Sequence, residues 1–137
     1  YPEHQLFEET VFKDIAFGPQ NMGLPQEEIK NRVEFAANLV GLSKEILDKS
    51  PFDLSGGQKR RVAIASIIAM KPQVLILDEP LNGLDNEGVE EIRKVLLSLK
   101  EKGKLIILAS HSKEDIQILC DTVFRMDHGK IIATETN

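Results

Sequence analysis

Val74-Leu75-Ile76-Leu77-Asp78-Glu79-Pro80 is the stretch that decides the fold. A short apolar run closing on a carboxylate pair is how a strand buried on both faces of a parallel sheet reads. In such sheets chemistry sits beyond the carboxyl ends of the strands. Two adjacent carboxylates there are costly without a counter-charge. Mg²⁺ takes oxygen ligands and keeps most of its waters, so a single carboxylate suffices to hold it. Asp78 is therefore the candidate metal residue, and Glu79 the candidate to orient or polarise a water. The plain alternative is a surface Asp-Glu pair that opens a loop.

Upstream, Leu54-Ser55-Gly56-Gly57-Gln58 begins a helix predicted over 55–70, which Lys71-Pro72 stops. Ser55 and Gln58 have capping-box spacing. Gly56 and Gly57 leave the first backbone N–H groups uncovered, and such a helix start can receive phosphate. Lys59, Arg60 and Arg61 follow at once and oppose the helix dipole, which an anion or acidic partner would offset. A capped helix with a solvated basic face is the competing reading.

Downstream, Asn82-Gly83-Leu84-Asp85 reads as a turn, and Asp85 can simply N-cap a helix over 86–100. Leu105-Ile106-Ile107-Leu108-Ala109 reads as a second buried strand. Ser110-His111-Ser112 follows it, and a histidine at a strand end can hydrogen-bond a phosphate. An ordinary surface histidine is the alternative there, and the assignment for His4 and His128. A helix over 112–120 precedes two short strands, 122–126 and 130–134, joined by a hairpin-like turn at Asp127-His128-Gly129.

The first part reads as helices. One over 8–17 is ended by Gly18-Pro19 and Gly23. Another over 26–40 carries Ile29, Val33, Ala36, Ala37 and Val40 inward and stops at Gly41. A single turn over 43–47 precedes Ser50-Pro51. The order predicts an α/β protein with a parallel sheet core. Residues 1–70 form a helical unit ending in the helix from Ser55, and 71–137 form the sheet unit.

The whole chain has 137 residues, the size of one ordinary domain. Its 42% hydrophobic and 28% charged residues exclude a disordered or collagen-like chain. A net charge of −5 speaks against nucleic-acid binding driven by bulk charge. Residues 1–53 hold 10 acidic and 5 basic side chains, an acidic surface that aids solubility or faces a basic partner. Cys120 is the single cysteine and can form no internal disulfide, which suits a reducing cytosol. The longest apolar run, residues 62–70, falls far short of the ~18 residues of a membrane helix, so any membrane role goes through a partner. There is no Gly-x-x-x-x-Gly-Lys-Ser/Thr phosphate loop, no His/Cys metal cluster and no Gly-x-Ser-x-Gly nucleophile turn.

Taken together, these motifs resemble the ATP-binding-cassette (ABC) ATPases. Leu54 to Gln58 resembles the family signature, and Leu75 to Glu79 the Walker B strand with its catalytic glutamate. Gly83-Leu84-Asp85 resembles the D-loop and His111 the switch histidine. A closer resemblance is to ATPase subunits of energy-coupling-factor transporters, which import vitamins and cobalt or nickel ions. It rests on residues 1–11, on Lys13-Asp14-Ile15-Ala16-Phe17-Gly18-Pro19 and on Ser50-Pro51-Phe52. Leu81-Asn82 before Gly83 and Ser112 after His111 depart from the usual pattern.

The resemblance implies a partial P-loop NTPase fold, a helical subdomain plus the C-terminal half of a RecA-like parallel sheet. It implies ATP and Mg²⁺ as cofactors and two cassettes paired head to tail, as a homo- or heterodimer. Leu54, Ser55, Gly56, Gly57 and Gln58 would contact the γ-phosphate of ATP held by the partner. Asp78 would hold Mg²⁺ through water, Glu79 would be the general base, His111 would stabilise phosphate charge, and Asp85 would couple the two sites. Residues 1–70 would dock on a transmembrane coupling protein, at the cytoplasmic face of the cell membrane. The phosphate loop, the adenine-stacking aromatic and the Q-loop glutamine would lie before Tyr1, so a fragment inactive alone is expected. Two alternatives are a non-catalytic ABC-family interaction module and the C-terminal lobe of a chromosome-maintenance or repair ATPase.

Overall fold

A computed structural model describes residues 10–137. Glu8, Glu9 and His4, and most of the 1–11 stretch that carries the resemblance, lie outside the described residues. Thr10 caps α1 (Val11–Asn21) by accepting a hydrogen bond from the Lys13 N–H. This helix runs straight through Gly18 and Pro19, where the sequence suggested a stop. Pro19 removes only one intrahelical donor, and Met22 N–H reaches the Gly18 carbonyl at 3.1 Å to close the next turn. Gly18 serves instead as a close approach: a Cβ there would lie 2.8 Å from Met70 Cγ.

α2 (Gln26–Leu39) buries Ile29, Val33, Ala36 and Ala37 as its stripe predicts. Gly41, with φ of +78°, then lets the Leu42 N–H return to the Ala37 carbonyl at 2.8 Å. A short α3 (Lys44–Leu47) and a 3₁₀ turn over Pro51–Asp53 lead into α4 (Gly56–Ile68). Arg32 of α2 donates to the Ala69 carbonyl at the end of α4. α1, α2 and α4 pack on one another around Val11, Ile15, Val33, Val62 and Ala65.

β1 (Val74–Asp78) pairs in parallel with β2 (Leu105–Ala109), Val74 opposite Leu105 through Asp78 opposite Ala109. Between them runs α5 (Asn86–Glu101), with Ile92, Val95, Leu96 and Leu99 buried. α6 (Lys113–Leu119) follows β2, and β3 (Thr122–Asp127) and β4 (Lys130–Thr136) form a separate antiparallel hairpin. Its two-residue loop, His128-Gly129, has φ of +49° and +76°, the positive values of a type I′ turn.

The two parallel strands depart from the expectation of burial on both faces. Leu75 and Leu77 enter the core, while Val74, Ile76, Leu105 and Ile107 are exposed. An apolar run reports that both faces are suited to burial; among the described residues only one face is covered. The core itself is continuous from Val11 through Leu75 to Leu99 and Leu119.

Candidate functional site

The helix start at Ser55 forms as its residues dictate. Ser55 Oγ accepts from the Gln58 N–H at 3.1 Å, and Gln58 Oε1 accepts from the Ser55 N–H at 3.0 Å, a full capping box. Ser55 and Gly56 are exposed, and a Cβ on Gly56 would meet nothing within 4 Å. The helix start therefore faces open space with its cap satisfied. Gly57 and Gln58 are half-buried, and Leu54 is in the core. The Leu54 side chain thus packs the approach to the helix, and its backbone is what remains for a ligand.

Asp78 ends β1 as an exposed carboxylate with no hydrogen bond or ion pair among the described residues. Glu79 turns the chain with φ of +47°, a left-handed conformation that costs a non-glycine residue about 1–3 kcal/mol. Four partners hold it there, one of them the Asn82 N–H, which donates to the Glu79 carbonyl at 3.2 Å. Its N–H donates to the Ala109 carbonyl at 2.8 Å, prolonging the β1–β2 ladder by one bond. Its Oε1 accepts from the His111 backbone N–H at 2.9 Å. Its carbonyl accepts from Arg60 Nη1 at 3.2 Å. The His111 ring is fully exposed, with Nε2 at 3.7 Å from Glu79 Oε1. The parallel register that sets Asp78 beside Ala109 is what brings Glu79 and His111 together.

Asp85 N-caps α5, its Oδ1 accepting from the Gly88 N–H at 2.8 Å. Gly57 approaches the same turn, where a Cβ would lie 3.9 Å from Leu84 Cδ2. The helix start at Ser55, the turn before Asp85 and the carboxylate pair are thus neighbours in the fold. A cleft of about 410 Å³ opens between α4 and β1, lined by Ile64, Ile67 and Ile76 as well as Arg60, Asp78 and Glu79.

The basic run after Gln58 is used differently from the sequence expectation. Arg60 reaches the Glu79 and Pro80 carbonyls, and Arg61 pairs with Glu91 of α5. Only Lys59 stays an exposed cation of the three. The dipole penalty is thus balanced inside the chain for two of them, with no outside anion required.

Arg93 has no mark in the sequence pattern. It is buried on α5 and donates to Asp115 of α6 from Nε at 3.0 Å and Nη2 at 2.5 Å, with Glu90 at 3.0 Å and Glu114 at 3.8 Å. The Asp115 hydrogen bond raises the guanidinium pKa above its ordinary value against the opposing effect of burial, and the Asp115, Glu114 and Glu90 charges add to the rise. α5 starts at Asp85 and α6 starts after His111, so this clamp fixes both loops. The helical spacing of apolar residues on α5 gave no sign of it.

A family model described as ABC transporter matches residues 1–82, more than half the chain. The chain belongs to the ABC transporter family. It is 61% identical, over 132 residues, to the energy-coupling factor transporter ATP-binding protein EcfA2 of Caldanaerobacter subterraneus subsp. tengcongensis, covering 96% of this chain and 46% of that protein. The solved structure of cbiO1 from Clostridium perfringens, part of the ABC transporter complex cbiONQ, superposes with a TM-score of 0.84 at 46% identity, covering 98% of this chain and 54% of that one. The dimeric bacterial ABC transporter cassette MJ0796 gives 0.81 at 25% identity, over 93% and 56%. The chain spans about half the length of the curated relatives it matches. Its α/β architecture is accordingly part of an ABC ATPase fold. As in the sequence, no helix among the described residues is long and apolar enough to cross a membrane.

Among the described residues no cluster of three or more His, Cys, Asp or Glu side chains could cage a metal. The lone exposed carboxylate of Asp78 suits Mg²⁺, an ion that keeps most of its waters and shares the rest of its shell with substrate phosphates.

Proposed function

We propose that this ABC transporter chain contributes the signature, Walker B, D-loop and switch elements of an ATP-hydrolysing subunit in an energy-coupling-factor importer. The observation that carries this is Glu79: a carboxylate fixed in a strained turn at a strand end, next to Asp78, which is unpaired among the described residues, and 3.7 Å from the exposed His111 ring. ATP with Mg²⁺ would supply the phosphoryl group and the charge neutralisation, Asp78 holding the metal through water. Glu79 would accept the proton of the attacking water, through the Oε2 that is left without a partner among the described residues. His111 would donate to γ-phosphate oxygen, and the Ser55, Gly56, Gly57 and Gln58 helix start would meet the γ-phosphate of ATP held by a second ATPase subunit. Asp85, at the turn that Gly57 approaches, would relate the two sites. Residues 1–70 would dock the transmembrane partner and 71–137 would carry the hydrolytic groups, at the cytoplasmic face of the membrane. The EcfA2 relatives and the dimeric cassette support this assembly.

The test is hydrolysis. The 137-residue chain alone should bind Mg-ATP weakly or not at all in titration calorimetry and release no measurable phosphate. A longer chain that also carries a Gly-x-x-x-x-Gly-Lys-Ser/Thr phosphate loop should hydrolyse ATP. Glu79→Gln in that longer chain should reduce turnover at least about a hundredfold, as loss of a general base does. Full turnover in Glu79→Gln would overturn the assignment, and micromolar ATP affinity of the short chain would overturn the division of labour.

A further inference from the structure

Arg60 has no part in the proposed chemistry, yet it is the one side chain of α4 that touches the Glu79 turn through hydrogen bonds. Its Nη1 lies 3.2 Å from the Glu79 carbonyl and 2.6 Å from the Pro80 carbonyl. These are the first two carbonyls after β1, where pairing with β2 gives out. The Glu79 carbonyl also accepts from the Asn82 N–H at 3.2 Å, whereas the Pro80 carbonyl has no other donor among the described residues, and a carbonyl beyond the ladder in a half-buried turn needs one. Pro80 is buried, so water is a poor substitute.

Of the other anchors of Glu79, the Asn82 N–H lies within the turn itself, while the Ala109 carbonyl and the His111 N–H come from the end of β2. These last two fix the turn to the sheet. Arg60 alone fixes it to the helix that starts at Ser55, five residues away along α4. Its neighbour Arg61 points to Glu91 on α5 and does not reach the turn. A charged guanidinium on two successive carbonyls is a strong and directional contact.

We propose that Arg60 is a positioning residue for Glu79, holding its left-handed backbone in register with the signature helix. Displacement of α4 is thereby passed to the Glu79 carboxylate through a single side chain. The catalytic consequence rests on the reading of Glu79 as general base; the geometric one does not.

Two measurements separate these. The first is amide hydrogen exchange by NMR on the 137-residue chain. Arg60→Gln should speed exchange at the Glu79 and His111 N–H groups roughly tenfold relative to core amides such as Ala65, the loss of about one hydrogen bond. Arg60→Lys, with one compact donor, should recover part of the protection. Arg61→Gln loosens α4 against α5 without touching the turn, so it should lower the melting temperature and leave that ratio unchanged. The second is steady-state hydrolysis in the longer chain. Arg60→Gln should lower kcat about tenfold or more with KM for ATP within about twofold, the split expected when the base is misplaced and binding is intact. An unchanged exchange ratio in Arg60→Gln, or the same change in Arg61→Gln, overturns the positioning role. If Glu79→Gln keeps full turnover while Arg60→Gln still alters the ratio, the general-base reading fails and the positioning role stands. If Glu79→Gln abolishes turnover and Arg60→Gln leaves kcat untouched, the transmission to catalysis is overturned.

Discussion

Ser55 shows how far single residues can be read. Its spacing to Gln58 announced a capping box, and both hydrogen bonds are present. Ser55→Ala should cost about 1 kcal/mol, seen as a lower urea midpoint with an unchanged slope, because the Gln58 N–H loses its acceptor. An unchanged midpoint would mean that water replaces the cap without loss. Asp78, Glu79, Asp85 and His111 were equally legible as residues at strand ends and a helix start. What was hidden is the way they are held. The left-handed φ of Glu79 has no sequence mark, since Gly and Asn are the usual residues there. His111 meets Glu79 through its backbone N–H, a group every residue carries except proline. Arg60 binds carbonyls 19 and 20 positions away, which likewise leave no trace in side-chain patterns. The sequence shows Cys120 only as a single cysteine; in the fold, burial pushes its thiol pKa up, Lys100 opposing that and Asp121 adding to it. It should react with iodoacetamide at neutral pH more slowly than a free cysteine, because the thiolate is scarcer.

At the scale of elements, the sequence separates what local rules decide from what neighbours decide. The bounds predicted for α2 and α5 agree with the structure to a residue, because their apolar stripes are regular and Gly41 and Gly103 mark their ends. α1 runs past its predicted end because a Gly-Pro pair is only a local stop signal, and packing against α4 with Met70 set over Gly18 overrides it. The clamp between α5 and α6 is a purely tertiary device. Asp115→Asn would leave Arg93 buried with weaker acceptors, and should destabilise the chain by about 2 kcal/mol in urea titration. Glu114→Gln, 3.8 Å from Arg93 and exposed, should cost less than about 0.5 kcal/mol. Equal losses in the two variants would show that long-range charge, and not the buried hydrogen bonds, joins the helices.

For the whole molecule the decisive feature is the uncovered side of the β1–β2 sheet. Ile76 is 73% exposed and Ile107, its register partner, 51%; Val74 and Leu105 continue the same face. Contiguous apolar surface of this kind, on a sheet only two strands wide among the described residues, favours association. The 137-residue chain should therefore show an apparent mass that rises with concentration in light scattering. Ile76→Glu combined with Ile107→Lys places opposite charges in a directly opposed pair, which a parallel strand pair accepts at its solvent face. That double variant should keep the far-ultraviolet circular dichroism of the parent and move the mass toward the monomer. The net charge is −5 in both proteins, so general repulsion cannot account for the difference. A parent that stays monomeric at high concentration would show that this face is tolerated in water; an associating double variant would place the contact elsewhere, with the exposed Phe124, Met126, Ile131 and Ile132 of the β3–β4 hairpin as the next surface to charge.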